Sequence, residues 1–250
     1  MKRKLNILNK KIIVKEPSFT DYKSLLKNLT TDDDTELVFD NFIKENIGND
    51  NFDILEKFLI LLNLRGLVLG NEYNITVEKE NYSINLDAII EKFSEINNIY
   101  EIDINGKKYG FGYVNTFNFK PNKIDFITDS FKYLNGKLLN ISNEEKSDIL
   151  PAMNFVEVYD NIIEQLYKDS IELKFINEEV FLYNCLPFLK SIFETDLLEF
   201  YKLEYVCRKV LNFGFNDFNN ISVPECRILL NYHVEDVKKE NDRIEQLKNR

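Results

Sequence analysis

The side chains that would have to supply a nucleophile and its activating base are three cysteines, Cys185, Cys207 and Cys226, and the only histidine, His233. His233 follows Cys226 by seven residues, two helical turns or about 10 Å along an axis. That is too far for thiol and imidazole to share a hydrogen bond within one helix. A Cys-dependent hydrolase would therefore need Cys185 or Cys207 brought to His233 by the fold. The cysteines are odd in number, form no C-x-x-C pair and accompany no histidine cluster, so they are read as buried free thiols. Adjacent carboxylates such as Glu144 with Glu145, or Glu178 with Glu179, diverge on a helix or strand and read as solvated faces, not as acid–base pairs. Asp32-Asp33-Asp34 also point in different directions and mark a helix start, where carboxylates suit the unpaired N–H groups, rather than a metal site. Eight glycines without a G-x-x-x-x-G-K-[ST] segment leave no phosphate loop; Gly106, Gly110 and Gly112 suit a hairpin. No catalytic residue, no cofactor and no metal is therefore expected.

Two stretches interleave aromatic with basic residues, Phe117-Asn118-Phe119-Lys120 and Phe131-Lys132-Tyr133, and could stack bases. A formal net charge of -10 and the absence of an arginine cluster assign them to the core instead and argue against a nucleic-acid partner. The apolar run Phe58–Leu62 is broken by Asn63 and Arg65, far short of the roughly 20 residues that span a bilayer. Met1-Lys2-Arg3-Lys4 is followed by neither an apolar stretch nor a small-residue cleavage site, so the expectation is a cytoplasmic protein without membrane contact. With 44% hydrophobic and 13% aromatic residues, the chain can bury a sizeable core. The abundance of Asn, Ile, Lys and Phe reflects an AT-rich coding sequence and says nothing about chemistry.

The elements that must position these residues follow from apolar periodicity. Residues 1–17 alternate weakly and end at Pro17, as an extended arm or edge strand does. Ser18 or Thr20 caps a helix with Tyr22, Leu25, Leu26 and Leu29 on one face, ending near Thr30. The acidic triplet starts a second helix carrying Leu37, Val38, Phe42, Ile43 and Ile47. A third, from about Asn51 to Arg65, is apolar around much of its circumference and is expected to stop near Gly66 as the buried centre of this half. The period then changes to two. Tyr73, Ile75 and Val77 pair with Tyr82, Ile84 and Leu86, a short helix spans Asp87 to Ile96, and Tyr100–Ile104 pairs with Lys107–Phe111 around Asn105-Gly106, the strongest hairpin signal in the chain. Helices are expected over Ile127–Leu134 and Met153–Tyr167, the latter led by Pro151. A strand follows over Ile171–Ile176, then two helices between Glu178 and Asn212 flanking Thr195-Asp196. Ser222, Pro224 and Glu225 form a capping box for a last helix. Its apolar positions, Ile228, Leu229, Tyr232 and Val237, thin out into a polar end that suits projection or docking. The fold class is thus α+β, predominantly helical, with a small antiparallel β element in the N-terminal half at about 72–115. The chain divides into residues 1–120 and 121–250 or forms one continuous domain.

One resemblance bears on function. The series Leu55-Glu56-Lys57-Phe58-Leu59-Ile60-Leu61-Leu62-Asn63-Leu64-Arg65-Gly66-Leu67-Val68-Leu69-Gly70, followed by paired strands and Ile84-Asn85-Leu86-Asp87, resembles the baseplate hub assembly family of T-even-type phages. Leu64, Arg65 and Gly70 occupy the positions of that family's L-R-x-x-x-x-G-like helix end. Looser similarity runs through Ile124-Asp125-Phe126-Ile127 to Phe175-Ile176. Leu197-Leu198-Glu199-Phe200-Tyr201-Lys202-Leu203-Glu204-Tyr205, Phe213-Gly214-Phe215-Asn216-Asp217 and Pro224-Glu225-Cys226-Arg227 are similar to a pattern near the C-terminus of phage tail assembly proteins. The resemblance implies a non-enzymatic baseplate hub subunit or hub assembly protein of a contractile tail, whose partners are other tail or hub proteins. It would act in the host cytoplasm during assembly, with the virion baseplate as its destination if it is a subunit. A tail assembly chaperone absent from the mature virion is the alternative within the same biology. The partner-binding candidates are Arg65, Tyr201, Tyr205, Glu225 and Arg227. For Arg65 the competing role is that of a cation at a helix end, where it complements the carbonyl dipole.

Overall fold

The computed structural model describes residues 2–8, 10–31, 34–49, 51–119, 122–174, 177–194 and 197–248. Its first residues form a hairpin rather than a lone extended arm. β1 (Lys2–Ile7) pairs antiparallel with β2 (Lys10–Lys15), and Ile7, Ile12 and Val14 turn inward. α1 (Phe19–Thr31) begins at a reciprocal cap: Asp21 N–H donates to Ser18 Oγ at 3.1 Å, and Ser18 N–H to Asp21 Oδ2 at 2.9 Å. It buries Phe19, Tyr22, Leu25, Leu26 and Leu29. α2 (Thr35–Ile47) starts at Asp34, whose side chain accepts from Leu37 N–H, so one acid of the triplet caps as expected; Asp32 and Asp33 lie outside the described residues. Leu37, expected on the buried face, is exposed, and Glu36 takes the buried place beside Val38 and Phe39.

α3 (Ile54–Leu69) is the buried centre and packs against α2 and β1. It runs through Gly66, where the sequence reading ends it, and stops at Gly70, whose φ of +87° suits glycine. Gly66 is there for a close approach: a Cβ at this position would sit 2.0 Å from Asn71 Oδ1. The Asn71 amide nitrogen in turn donates to both Asp87 carboxylate oxygens at 2.9 Å. At an open helical position Gly→Ala stabilises by about 1 kcal/mol. Here Gly66→Ala must displace Asn71, and the expected result is no gain, with a loss of up to about 1 kcal/mol in thermal unfolding.

The start of α3 is a second reciprocal cap: Glu56 N–H donates to Asp53 Oδ1 at 2.9 Å and Asp53 N–H to Glu56 Oε2 at 3.3 Å. Burial, then the neighbouring Glu56 carboxylate, pushes the Asp53 carboxyl up to about 6. A carboxyl raised above its unfolded value binds its proton more tightly in the native state, so this site loses stability as pH rises from about 4 to 6. Asp53→Asn keeps a good cap without the charge. It should flatten that part of the stability profile and gain on the order of 2 kcal/mol over the native chain at pH 7, read by urea unfolding at pH 4 and 7. Unchanged pH dependence in the variant would reject the assignment.

β3 (Glu72–Val77) and β4 (Glu80–Asn85) form a hairpin, and Asn85 caps α4 (Leu86–Ser94). β5 (Tyr100–Ile104) and β6 (Lys107–Phe111) pair around Asn105 and Gly106, both with positive φ as expected. α5 (Lys123–Ser130) corrects the helix expected over 127–134: the chain becomes extended at Phe131 and continues as β7 (Phe131–Leu134) and β8 (Lys137–Leu138). A second Asn-Gly turn, Asn135-Gly136 with φ of 50° and 73°, folds β7 onto β8, and β7 completes an antiparallel sheet of order β5-β6-β7-β8. α6 (Asn143–Ile149) starts at a Ser142–Glu145 capping box that the sequence reading leaves unassigned. α7 (Phe155–Leu166) starts at Asn154 and not at Pro151, which stays in the preceding loop.

β9 (Ser170–Leu173) pairs with β10 (Glu178–Phe181), so Glu178 opens a strand where a helix is expected; Phe175 and Ile176 lie outside the described residues. A 3-10 turn (Leu182–Asn184) leads to α8 (Leu186–Phe193), then α9 (Leu197–Val210), a second 3-10 turn (Asp217–Asn219) and α10 (Val223–Lys248); Thr195 and Asp196 are outside the described residues. The fold is α+β and predominantly helical, and its small antiparallel sheets also occur beyond 72–115.

Segments on either side of residue 120 share one core. The Phe193 ring lies 5.4 Å from Phe39 and 6.0 Å from Phe42, and Tyr22 OH donates to Phe193 O at 2.7 Å. Tyr113 OH donates to Leu166 O, while Val114 N–H donates to Tyr167 OH at 3.1 Å.

Candidate docking surface

The thiols are held in the interior. Cys185 is buried in the core, and burial pushes its thiol far above the ordinary range. Cys207 on α9 and Cys226 on α10 are both fully buried, and the two helices pack on each other. Burial, then the Cys207 charge, pushes Cys226 up to about 12. A protonated thiol is a poor nucleophile. His233 lies exposed two turns farther along α10 and makes no hydrogen bond to any cysteine among the described residues. No group of acids, histidines and cysteines among the described residues is arranged to hold a metal, and no helix of the described residues is long and apolar enough to cross a membrane.

The surface is built differently. α9 buries Phe200 against α1, with its ring 5.3 Å from Phe19 and 5.2 Å from Tyr22 between ring centres. Helical period then places Leu198, Tyr201 and Tyr205 on the outer face, and all three are exposed, Tyr205 by 63%. Lys23 anchors this stripe: its ammonium lies 4.2 Å over the Tyr201 ring and pairs with Glu204, which also accepts from Arg208 at 2.8 Å. Burial alone would raise the Glu204 carboxyl, but the bonds from Lys23 and Arg208 outweigh it and hold it below the usual carboxylate range. Beside them a groove of roughly 290 Å³ runs between α1 and α9, with Phe215 at its lip and 72% exposed. Phe215 is held out there by a turn in which Gly214 N–H donates to Asp217 Oδ2 at 2.6 Å, while Phe213 packs on the core.

α10 supplies the second part. Val223 and Cys226 root it in the core, but every residue from Asn231 to Glu245 is exposed, including Tyr232, Val234, Val237 and Ile244. Exposed on every side, these turns gain little from tertiary packing, the source of most helical stability in proteins.

Of the five candidate contacts, Tyr201 and Tyr205 therefore stand together on one exposed stripe. Glu225 serves the cap of α10, its carboxylate accepting from Ser222 N–H at 2.8 Å and Ser222 Oγ at 2.9 Å, and these bonds hold its pKa down. Arg227 is exposed in a different recess, beside Asn63, Asp87 and Arg3. Arg65 is not a surface contact: it is 5% exposed, and its guanidinium donates inward to the carbonyls of Ile192, Gly70 and Glu72. The helix-end alternative describes it better, although the carbonyl it meets in helical structure belongs to α8. Phe215 and the apolar residues of α10 beyond Tyr232 complete the exposed surface; Gly214 followed by Asp217 was the available signal for the turn that presents Phe215.

No family model matches the chain, and neither a curated protein nor a solved structure matches it significantly.

Proposed function

We propose that this protein is a non-enzymatic interaction component that works by surface complementarity. More particularly, we read it as a baseplate hub subunit or hub assembly protein of a contractile phage tail, acting in the host cytoplasm on other tail proteins. The observation that carries the first step is α10, a rooted helix whose outer turns expose apolar side chains that no part of the described chain covers. The Tyr201–Tyr205 stripe and Phe215 offer the exposed aromatic area that interfaces favour. Support for the second step is the resemblance carried by the Leu55–Gly70 series and the segments around Tyr201 and Glu225.

The triple substitution Val234→Glu, Val237→Glu and Ile244→Glu alters only exposed positions. It should leave the melting temperature within about 2 °C, because exposed substitutions rarely exceed ±0.5 kcal/mol, and should abolish co-purification of tail proteins from infected cells. Mass spectrometry of those complexes beside purified particles separates the roles. Presence in particles with hub proteins marks a structural subunit, and tail partners found only in extracts mark a chaperone. If the protein is absent from the particles and its complexes from infected cells hold no tail protein, the phage reading fails.

A further inference from the structure

The net charge of -10 that argues against a nucleic-acid partner is unevenly spread. Residues 2–15, the β1–β2 hairpin, hold six of the 32 basic side chains and none of the 42 acidic ones, which leaves 26 against 42 elsewhere, a balance of -16. Strand register sorts these cations by face. The pairs Arg3 with Val14, Leu5 with Ile12 and Ile7 with Lys10 form the inner face, where Ile7, Ile12 and Val14 are buried and α2 and α3 pack on the hairpin. The alternate pairs, Lys2 with Lys15, Lys4 with Ile13 and Asn6 with Lys11, share the outer face, and all six of these residues are exposed. The cations of the inner pairs are answered locally, Arg3 by Glu16 at 3.5 Å and Lys10 by Glu56 at 2.5 Å. On the outer face Lys15 pairs with Asp21 at 2.9 Å, but Lys2, Lys4 and Lys11 form no ion pair among the described residues. Lys2 and Lys15 also stand directly opposite each other, a like-charge pairing that is unfavourable in a sheet. Guarding the hairpin edges against strand addition accounts for lysines on the strands, but not for the absence of every acid from both of them.

We infer that this outer face binds double-stranded DNA through its phosphates, without regard to base sequence. Two strands about 4.8 Å apart, with lysine stems on both rows, make a ribbon that fits a major groove about 12 Å wide. Lys2 and Lys4 then meet the phosphates of one groove wall and Lys11 those of the other. Lysine meets phosphate as a point charge. The face holds no arginine fork to read guanine and no aromatic ring on which an unpaired base could stack, so the duplex is favoured over a single strand. A-form RNA has a major groove too narrow for side chains to enter, which leaves DNA. A protein partner fits less well, because lysine is depleted from protein–protein interfaces and only Ile13 of these six residues is apolar. One such side chain also gives a membrane little to hold. The acidic remainder of the chain does not prevent contact, since exposed charges farther apart than about 8 Å are largely screened at physiological salt. The inference stands apart from the phage reading, because it rests on the hairpin alone.

The full chain is titrated against a fluorescein-labelled DNA duplex of about 20 base pairs, and binding is followed by fluorescence anisotropy. Three phosphate contacts give a log–log salt slope of about -2.7, so affinity should fall about 40-fold between 50 and 200 mM NaCl and be the same for duplexes of unrelated sequence. Lys2→Gln, Lys4→Gln and Lys11→Gln together alter only exposed positions. They should leave the melting temperature within about 2 °C and weaken binding at 50 mM NaCl by about tenfold or more. Lys107→Gln, Lys108→Gln and Lys137→Gln together remove the same charge from other exposed positions and should keep the affinity within about threefold. Lys4→Gln alone should make the salt slope shallower by about 1. Absence of binding by the native chain at 50 mM NaCl overturns the site. So does equal weakening by both triple variants, which reports net charge alone. Polyglutamate and phosphatidylserine vesicles are titrated in parallel: binding of either that the hairpin variant abolishes, with the duplex left unbound, would assign the face to an acidic protein or a membrane and reject the inference.

Discussion

Arg65→Met is expected to lower the unfolding free energy by about 3–5 kcal/mol, because it strands three carbonyls that share one buried guanidinium. Arg65 Nε donates to Ile192 O at 3.1 Å, and Nη1 donates to Glu72 O at 3.1 Å and to Gly70 O. Ile192 lies in the last turn of α8, so its carbonyl has no partner within that helix and a cation there also answers the helix dipole. Gly70 and Glu72 bracket the passage from α3 into β3. One side chain therefore joins the end of the central helix, the first strand of a hairpin and a helix more than a hundred residues away. Arg65→Lys should recover less than half of the loss, since a single ammonium cannot reproduce the fork. Urea unfolding followed by circular dichroism measures both variants, and a loss under about 1 kcal/mol for Arg65→Met would mean that the carbonyls find other donors.

Glu36→Ala should cost about 3 kcal/mol for a related reason. The Glu36 carboxylate accepts from Phe117 N–H at 2.8 Å, Thr116 Oγ1 at 2.9 Å, Asn118 N–H at 3.2 Å and Asn118 Nδ2 at 2.6 Å. It lies 4.0 Å from the Lys57 ammonium, which is buried and bound to Asp40 at 2.7 Å. Four donors converge on one acid, and removing it leaves the buried Phe117 N–H without an acceptor and the Asn118 N–H with Thr116 Oγ1 alone, at 3.1 Å. Glu36→Gln should fail to rescue, because its amide would aim hydrogens at groups that are themselves donors. Hydrogen exchange at Phe117 and Asn118 provides the local readout: protection in Glu36→Ala equal to that of the native chain would reject the idea that this carboxylate holds the segment.

Neither node is legible along the chain. The Arg65–Ile192 bond spans 127 positions and the Glu36–Phe117 bond 81, and spacing carries no information at those separations. Glu36 reads as an ordinary acid in the first turn of a helix, favourable to the dipole and free to face water. Local signals were legible: the Ser222–Glu225 box, the Asn105-Gly106 hairpin and the apolar faces of α1, α3 and α7 all stand where the residues put them. The helix misread over 127–134 shows the limit of periodicity. Ile127, Phe131 and Leu134 recur at helical spacing, yet Phe131 to Leu134 is just as able to be a strand. The open edge of β6 together with Asn135-Gly136 decides the matter, with Asn135 Oδ1 accepting from Lys108 N–H at 2.9 Å. Sequence pattern placed Tyr201, Tyr205 and Arg65 in one set of candidate contacts and could not separate the two exposed tyrosines from Arg65, whose burial depends on distant carbonyls.

The root of α10 has a mechanical consequence. Ser222 bridges Ser18, and Phe19 N–H donates to Ile221 O at 2.8 Å, so α10 and α1 start from one shared hinge of backbone. From its root at Val223 to Lys248 the helix is about 39 Å long at 1.5 Å per residue, and each degree of tilt at the root sweeps its tip by about 0.7 Å. Run in reverse, that lever converts a load on the tip into torque on α1, whose Tyr22 and Phe19 rings are wedged against Phe200 and thus beneath the Tyr201–Tyr205 stripe. Capture of the helix by one body would therefore bias the seat offered to a second, and the order of the two attachments would be written into the shared joint.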